Sequence, residues 1–134
     1  MNAAAFVTGF EGLDDGRGLA LTDWDHDGDL DLWMSARTSP AVRYFENQSE
    51  APPGVAVRLR ALAGARDAIG ARLVLETRDG RQWHRSVRAG EGFLSQSSKW
   101  VFFGLPEGAE PARLRVQWPN GRTPTTYTGM VAGG

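Results

Sequence analysis

The stretch "GLALTDWDHDGDLDLWMS", residues 18–35, carries two patterns at once. Its ends alternate with period two, Leu19 and Leu21 on one side and Leu30, Leu32 and Met34 on the other. Such alternation marks half-buried strands. Its middle, Asp23 to Asp31, places an aspartate at every odd position, with Gly28 the one glycine. The stretch therefore predicts two antiparallel strands joined by an acidic loop. Like charges about 4 Å apart cost on the order of 1 kcal/mol per pair even in a water-like dielectric. Such a loop calls for a counter-charge.

Hard divalent cations take oxygen ligands, and Ca²⁺ takes about six to eight of them. Carboxylates at alternate positions (Asp23, Asp25, Asp27) converge on one point when the chain curls, and Gly28 permits the sharp turn. A backbone carbonyl near Asp29 and the carboxylate of Asp31 are placed to close the shell. The first residues also fit an EF-hand, which needs a glutamate at loop position 12 and a helix on each side. Position 12 is Met34, and both flanks alternate like strands, so the EF-hand fails. What remains is a D-x-D-x-D-G-x-x-D loop closed at position 9. The plain alternative is a solvated acidic turn whose aspartates make Asx-turns and bind nothing.

Working outward, "VRYFEN" (42–47) supplies a third strand, and the polar "QSEAPPG" (48–54) marks a boundary. The chain is expected to divide into a part at 1–49 and a part at 50–134. The second part reads as strands: "VAVRLRAL" (55–62), "GARLVLETR" (70–78), "RQWHRSVR" (81–88), "KWVFFGL" (99–105), "ARLRVQW" (112–118) and "RTPTTYTGM" (122–130). Asp79-Gly80 predicts a type I′ hairpin, with φ > 0 at both central residues. "KWVFFGL" suits a strand buried on both faces. With 17 Gly and 7 Pro spread along 134 residues, helix signals are scarce and no whole-chain repeat is visible. Many short strands with glycine-bearing turns argue for an antiparallel sandwich or partly closed barrel.

Composition narrows the function classes. At 41% hydrophobic and 23% charged, the chain is globular rather than disordered. A net charge of −1 gives no global basic signal for nucleic acid. No apolar stretch is long enough to span a bilayer as a helix. "MNAAAFVTGF" lacks the basic and apolar regions of a signal peptide, so export is not encoded there. The absence of cysteine removes disulfides and thiolate metal sites.

With these segments in view, "GRGLALTDWDHDGDLDLWMS" and "VRYFEN" resemble one blade of the FG-GAP/VCBS type of β-propeller repeat. "RDAIGARLVLE" (66–76), "VRAGEGFLSQSS" (87–98), "VFFGLPEG" (101–108) and "RLRVQWPNGR" (113–122) resemble the ASPIC/UnbV domain. The resemblance implies Ca²⁺ ligands at Asp23, Asp25, Asp27 and Asp31, with the main-chain carbonyl of Asp29 completing the set. It implies no catalytic residues. It also implies a secreted, periplasmic or cell-surface location, since the ASPIC/UnbV domain commonly follows such repeats in exported proteins. A propeller has several blades and this chain holds roughly one, with "FVTGFEG" (6–12) a candidate outer strand. An isolated small sheet buries too little to persist. Leu30, Leu32, Trp33, Tyr44 and Phe45 are therefore expected to meet the second part.

Other residues invite sharper readings with plainer rivals. His84 with Ser86, Ser95, Ser97 or Ser98 has neither hydrolase spacing nor a nucleophile elbow, so an exposed strand histidine is expected. His26, at an even loop position, is expected to face solvent. "RAGEGF" (88–93) has no helix after it and reads as a bend rather than a phosphate cradle. Arg58, Arg60, Arg113 and Arg115 suggest a basic face for an anionic glycan or nucleic acid, against the default of solvent-facing arginines. Trp100 and Trp118 are expected in the core, and Trp24 and Trp83 at the surface.

Together these readings give an all-β fold: an antiparallel propeller-blade-like sheet packed on a small β-sandwich or partly closed β-barrel. The expected role is a Ca²⁺-binding, non-enzymatic binding or adhesion module of a larger extracytoplasmic protein. Its expected partner is a protein or glycan rather than nucleic acid, and the exposed blade edge offers a route to self-association. The alternatives are a carbohydrate-binding module or an accessory domain of a larger enzyme.

Overall fold

The computed structural model describes residues 15–38, 40–49, 54–62, 64–119 and 121–129. The segment "FVTGFEG" and residues 50–53 of the expected boundary lie outside them. Among the described residues there are nine strands and no helix. They are β1 (Gly16–Thr22), β2 (Asp31–Ala36), β3 (Val42–Phe45), β4 (Val55–Val57), β5 (Arg72–Thr77), β6 (Gln82–Ser86), β7 (Val101–Phe103), β8 (Pro111–Gln117) and β9 (Thr125–Thr128). They form a sheet β1-β2-β3, a pair β4-β7, and a sheet β6-β5-β8-β9, with every pairing antiparallel and no closed barrel. The fold is all-β and sandwich-like, as the alternation predicts.

The core belongs to the second part. Leu73 and Leu75 of β5 stand opposite Leu114 and Val116 of β8, so one face of the four-stranded sheet is aliphatic. Val55, Val101 and Phe103 from the β4-β7 pair, with Leu59, Ala71, Val87 and Leu105, complete a single buried cluster. Each Val, Leu or Phe side chain among them contributes about 1.5–3 kcal/mol on burial. Phe103 is fully buried while Phe102 is only half-buried. The expectation that this strand is buried on both faces is thus corrected. A two-stranded layer turns one face to the core and the other toward solvent. "VAVRLRAL" likewise shortens to three strand residues, because its partner β7 offers only three. Gly54 is required where the two strands meet, since a Cβ there would stand 2.6 Å from the Phe103 carbonyl oxygen.

The β5-β6 turn differs from expectation. Gly80 takes φ +84° and donates its amide to Thr77 O at 2.9 Å, while Asp79 keeps a negative φ. Beyond the Glu76–Gln82 pair, Thr77 N donates to Arg81 O at 3.0 Å, leaving a three-residue loop, Arg78-Asp79-Gly80. This is a type I turn with a left-handed glycine after it. The Asp79 carboxylate explains the choice: it accepts from Thr77 Oγ1 (2.5 Å), Arg81 N (3.3 Å) and Arg81 Nε (2.6 Å). The tryptophans are also redistributed. Trp100 is exposed, whereas Trp83 packs against the core beneath the Arg81 guanidinium, 5.8 Å from its ring centroid. Trp118 packs on the core and Trp24 is exposed, as expected.

In the first sheet, cross-strand register places Leu19, Leu21, Leu32, Met34 and Phe45 on one face and Ala20, Trp33 and Tyr44 on the other. The second part meets this sheet along the outer edge of β1. Leu21 N donates to Ser97 Oγ at 3.2 Å, and Ser98 N donates to Leu21 O at 3.3 Å. Gly18 makes the approach possible, since a Cβ there would stand 3.2 Å from the Leu94 carbonyl oxygen and 2.9 Å from Ser35 Oγ. Covering a strand edge removes an open row of backbone donors and acceptors. Of the residues expected at the junction, Leu30 lines the cleft of about 240 Å³ between the parts, with Leu21, Lys99 and Trp100. Trp33 and Tyr44 instead pack on each other, centroids 5.0 Å apart, and Trp33 on Trp24 at 5.1 Å. The junction is a strand edge; the aromatic face stays with its own sheet.

Candidate metal centre

Residues 23–30 connect β1 to β2 across the end of the first sheet. Two backbone positions curl them: His26 at φ 65° and Gly28 at φ 97°. The aspartates nucleate the curl through Asx-turns, Asp27 N donating to Asp25 Oδ1 at 3.3 Å and Asp29 N to Asp27 Oδ1 at 3.1 Å. As a result Asp23, Asp25 and Asp27 each offer a carboxylate oxygen within 4.8 Å of the other two. His26 is exposed, as its even position suggests.

Asp31 stands apart from this trio. It is 1% exposed, opens β2 opposite Thr22, and shares its face with Trp33. Its Oδ2 accepts from Trp24 N at 2.9 Å and its Oδ1 from Asn47 N at 2.9 Å. The Tyr44 hydroxyl donates to the same carboxylate. Burial pushes the Asp31 carboxyl up, but the amides of Asn47 and Trp24 and the Tyr44 hydroxyl outweigh it and hold it below the usual carboxylate range. Tyr44 is pushed up to about 12 by desolvation and by the carboxylate it donates to. Asp31 is therefore a built-in anion that ties the start of the loop to the end of β3.

Asp25 and Asp29 carry the opposite signature. Loss of solvent raises Asp25, and the charges of Asp27 and Asp31 add to it against the Asp27 amide. Asp29 is raised by desolvation and by Asp27 and Asp31, with the Asn47 side chain opposing. Asp23 Oδ1 and Asp29 Oδ1 are buried without a hydrogen-bond partner. A buried polar atom without a partner costs about 1–3 kcal/mol. Orphaned carboxylate oxygens beside converging carboxylates are the donor set a hard cation wants, and the residues fit Ca²⁺ on that chemistry.

Two contributors escaped the sequence reading, Tyr44 and Asn47. The aromatic strand ending in Asn was visible, but nothing in its spacing tied it to Asp31. The other candidates do not assemble. His84 and Ser86 lie on the outward face of β6, while Ser97 is spent on Leu21 N. Arg113 and Arg115 lie on the outward face of β8, and Arg58 and Arg60 follow β4 elsewhere.

The architecture of residues 55–129 now has a family to go with it. Residues 61–131, more than half of the chain, match the family described as ASPIC and UnbV, and the chain belongs to that family. Among individual proteins, the chain is similar to cartilage acidic protein 1 of Xenopus tropicalis. The two are 34% identical over 125 residues, 90% of this chain and 18% of that protein. It is 33% identical over 110 residues to the Mus musculus protein, covering 80% of this chain and 17% of the relative. For the Homo sapiens protein the identity is 33% over 110 residues, 80% and 16%. The chain thus spans less than a fifth of the length of these relatives.

Proposed function

We propose that this chain is a Ca²⁺-stabilised, non-enzymatic binding or adhesion module that works outside the cytoplasm as part of a larger protein. The observation that carries the calcium reading is the trio Asp23, Asp25 and Asp27 within 4.8 Å, with orphaned oxygens on Asp23 and Asp29. Those residues would hold the ion. Asp31 already accepts from Trp24 N, Asn47 N and the Tyr44 hydroxyl, so it would join the shell only through the one lone pair these leave. Bound calcium would supply neutralising charge and fix the loop. The chain's own residues do the rest: Asp31, Trp24 N and Asn47 N set the loop's base, and the β1 edge carries its position to the second part.

The first sheet supports the FG-GAP/VCBS reading as a propeller blade. It has three antiparallel strands, an acidic loop between the first two, and apolar side chains on both faces. A sheet apolar on both faces needs cover on both, which neighbouring blades would provide. That the chain spans less than a fifth of the matched relatives leaves ample chain for them. Their name places them in cartilage, in keeping with an extracytoplasmic setting. A stacking platform for sugars has less support: Trp24 is exposed, but it meets Trp33 at 70°, so the two rings are not coplanar.

Thermal melts of the whole chain in Ca²⁺ and in EDTA test the reading. At hundredfold excess over Kd, calcium adds about 2.7 kcal/mol of stability. Equal midpoints, with no metal by elemental analysis, would refute it.

A further inference from the structure

The near-neutral net charge hides a division. Residues 1–54 hold three Lys and Arg against ten Asp and Glu, whereas residues 55–134 hold twelve against six. Part of the second part's surplus, three arginines against one glutamate, stands on the outward face of the four-stranded sheet. Register places three rows there: Arg72, Ser86 and Gln117; Val74, His84, Arg115 and Thr126; Glu76, Gln82, Arg113 and Thr128. Glu76 is the one carboxylate in these rows, and it already accepts from Arg113 and from Gln82 Nε2. Its carboxyl is held low by Arg113 first, so it stays a spent anion. Arg72 and Arg115 are left without an ion-pair partner among the described residues.

Those two arginines border a shallow depression of about 270 Å³ floored by Val74 and rimmed by His84, Ser86 and Gln117. They are diagonal cross-strand neighbours, a relation that sets Cβ atoms about 7–8 Å apart. Two guanidiniums at that spacing hold one anionic group in a fork, or two adjacent ones. The surroundings select the class of anion. Hydroxyl and amide groups (Ser86, Gln117, Thr126) both donate and accept, which suits a hydroxyl-rich ligand. A protein partner wants buried aromatic or aliphatic anchors, and the face offers only Val74. Single-stranded nucleic acid wants stacking rings, and no aromatic other than the His84 imidazole lies in these rows.

We propose that this sheet face binds an acidic polysaccharide, with Arg72 and Arg115 gripping its sulfate or carboxylate groups. The site goes beyond the calcium reading and uses none of its residues.

The test is surface plasmon resonance of the whole chain on immobilised heparin, with hyaluronan as a carboxylate-only arm and a duplex oligonucleotide as a polyanion control. Arg72→Gln with Arg115→Gln should raise Kd at least tenfold with an unchanged melting temperature. The charge-matched pair Arg58→Gln with Arg66→Gln, off this face, should change it less than twofold. Binding to heparin alone assigns the grip to sulfate; binding to both glycans assigns it to either group. Four results would overturn the proposal: no binding at physiological salt, equal loss in both variants, tighter binding to the oligonucleotide, or loss of binding in EDTA. The last would move the site to the acidic loop, while calcium melts report on that loop independently.

Discussion

Asp31 and Asp25 share a motif and a residue type, yet their surroundings give them opposite duties. Asp31 is buried and satisfied by two amides and a hydroxyl, so Asp31→Ala should cost about 3 kcal/mol whether or not calcium is present. Asp25 is exposed and penalised as an anion, so Asp25→Asn should leave the calcium-free melting temperature unchanged or slightly higher. The same change should erase the calcium-induced rise. Paired melts check both, and a calcium-free loss for Asp25→Asn as large as that for Asp31→Ala would reverse the roles. Asp79 gives a pH prediction. Its carboxyl is lowered to about 2, first by the Arg81 side chain and then by Thr77. A depressed folded-state value stabilises above the unfolded value, about 3.9, and that contribution fades as pH falls through about 2. Asp79→Asn should therefore melt lower than the parent at pH 6, with the gap closing between pH 4 and 2. A constant gap would show that charge is not what matters. The five aspartates are legible from sequence as a group. Which of them faces inward is not, because that depends on amides at Trp24 and Asn47 that only the folded β1-β3 arrangement brings together.

Strands are where the sequence reads best. Alternating Leu73 and Leu75, or Leu114 and Val116, state both the element and its inner face before any partner is known. Strand ends read less well. β4 stops at Val57 although alternation runs on, since a ladder lasts only as long as both members do. The Asp79-Gly80 signal named a hairpin correctly and its class wrongly, because the Asp79 carboxylate bonds forward to Arg81 instead of leaving its backbone in the left-handed region. The segment at 92–98 carried no signal for docking beside β1; the small residues Gly92, Ser95 and Ser97 that allow it look like any loop. Gly18→Ala tests that seam. A methyl group 3.2 Å from the Leu94 carbonyl should cost about 1 kcal/mol and speed hydrogen exchange at the Leu21 and Ser98 amides. Unchanged exchange at both would mean the seam tolerates a side chain.

For the molecule as a whole, the unfinished surface is the first sheet. Among the described residues, Leu19 and Leu21 remain substantially exposed, and β3 forms the outer strand of its sheet with Val42 60% exposed. Sedimentation velocity at rising concentration should reveal a reversible dimer of the isolated chain, and Val42→Lys should suppress it by charging the free edge. A strictly monomeric parent at high concentration would show that the edge is already protected.

The bond between Leu21 and Ser97 spans 76 residues of sequence. Synthesised from its N-terminus, the chain makes the acidic loop and the β1-β2 hairpin early but cannot close the edge beside them until residue 98 has emerged. Loop closures of that length slow folding and leave strand edges open in the meantime. The segment at 92–98 thus closes one side of the first sheet late: until it arrives the β1 edge stands open, and afterwards β1 is an inner strand in all but name.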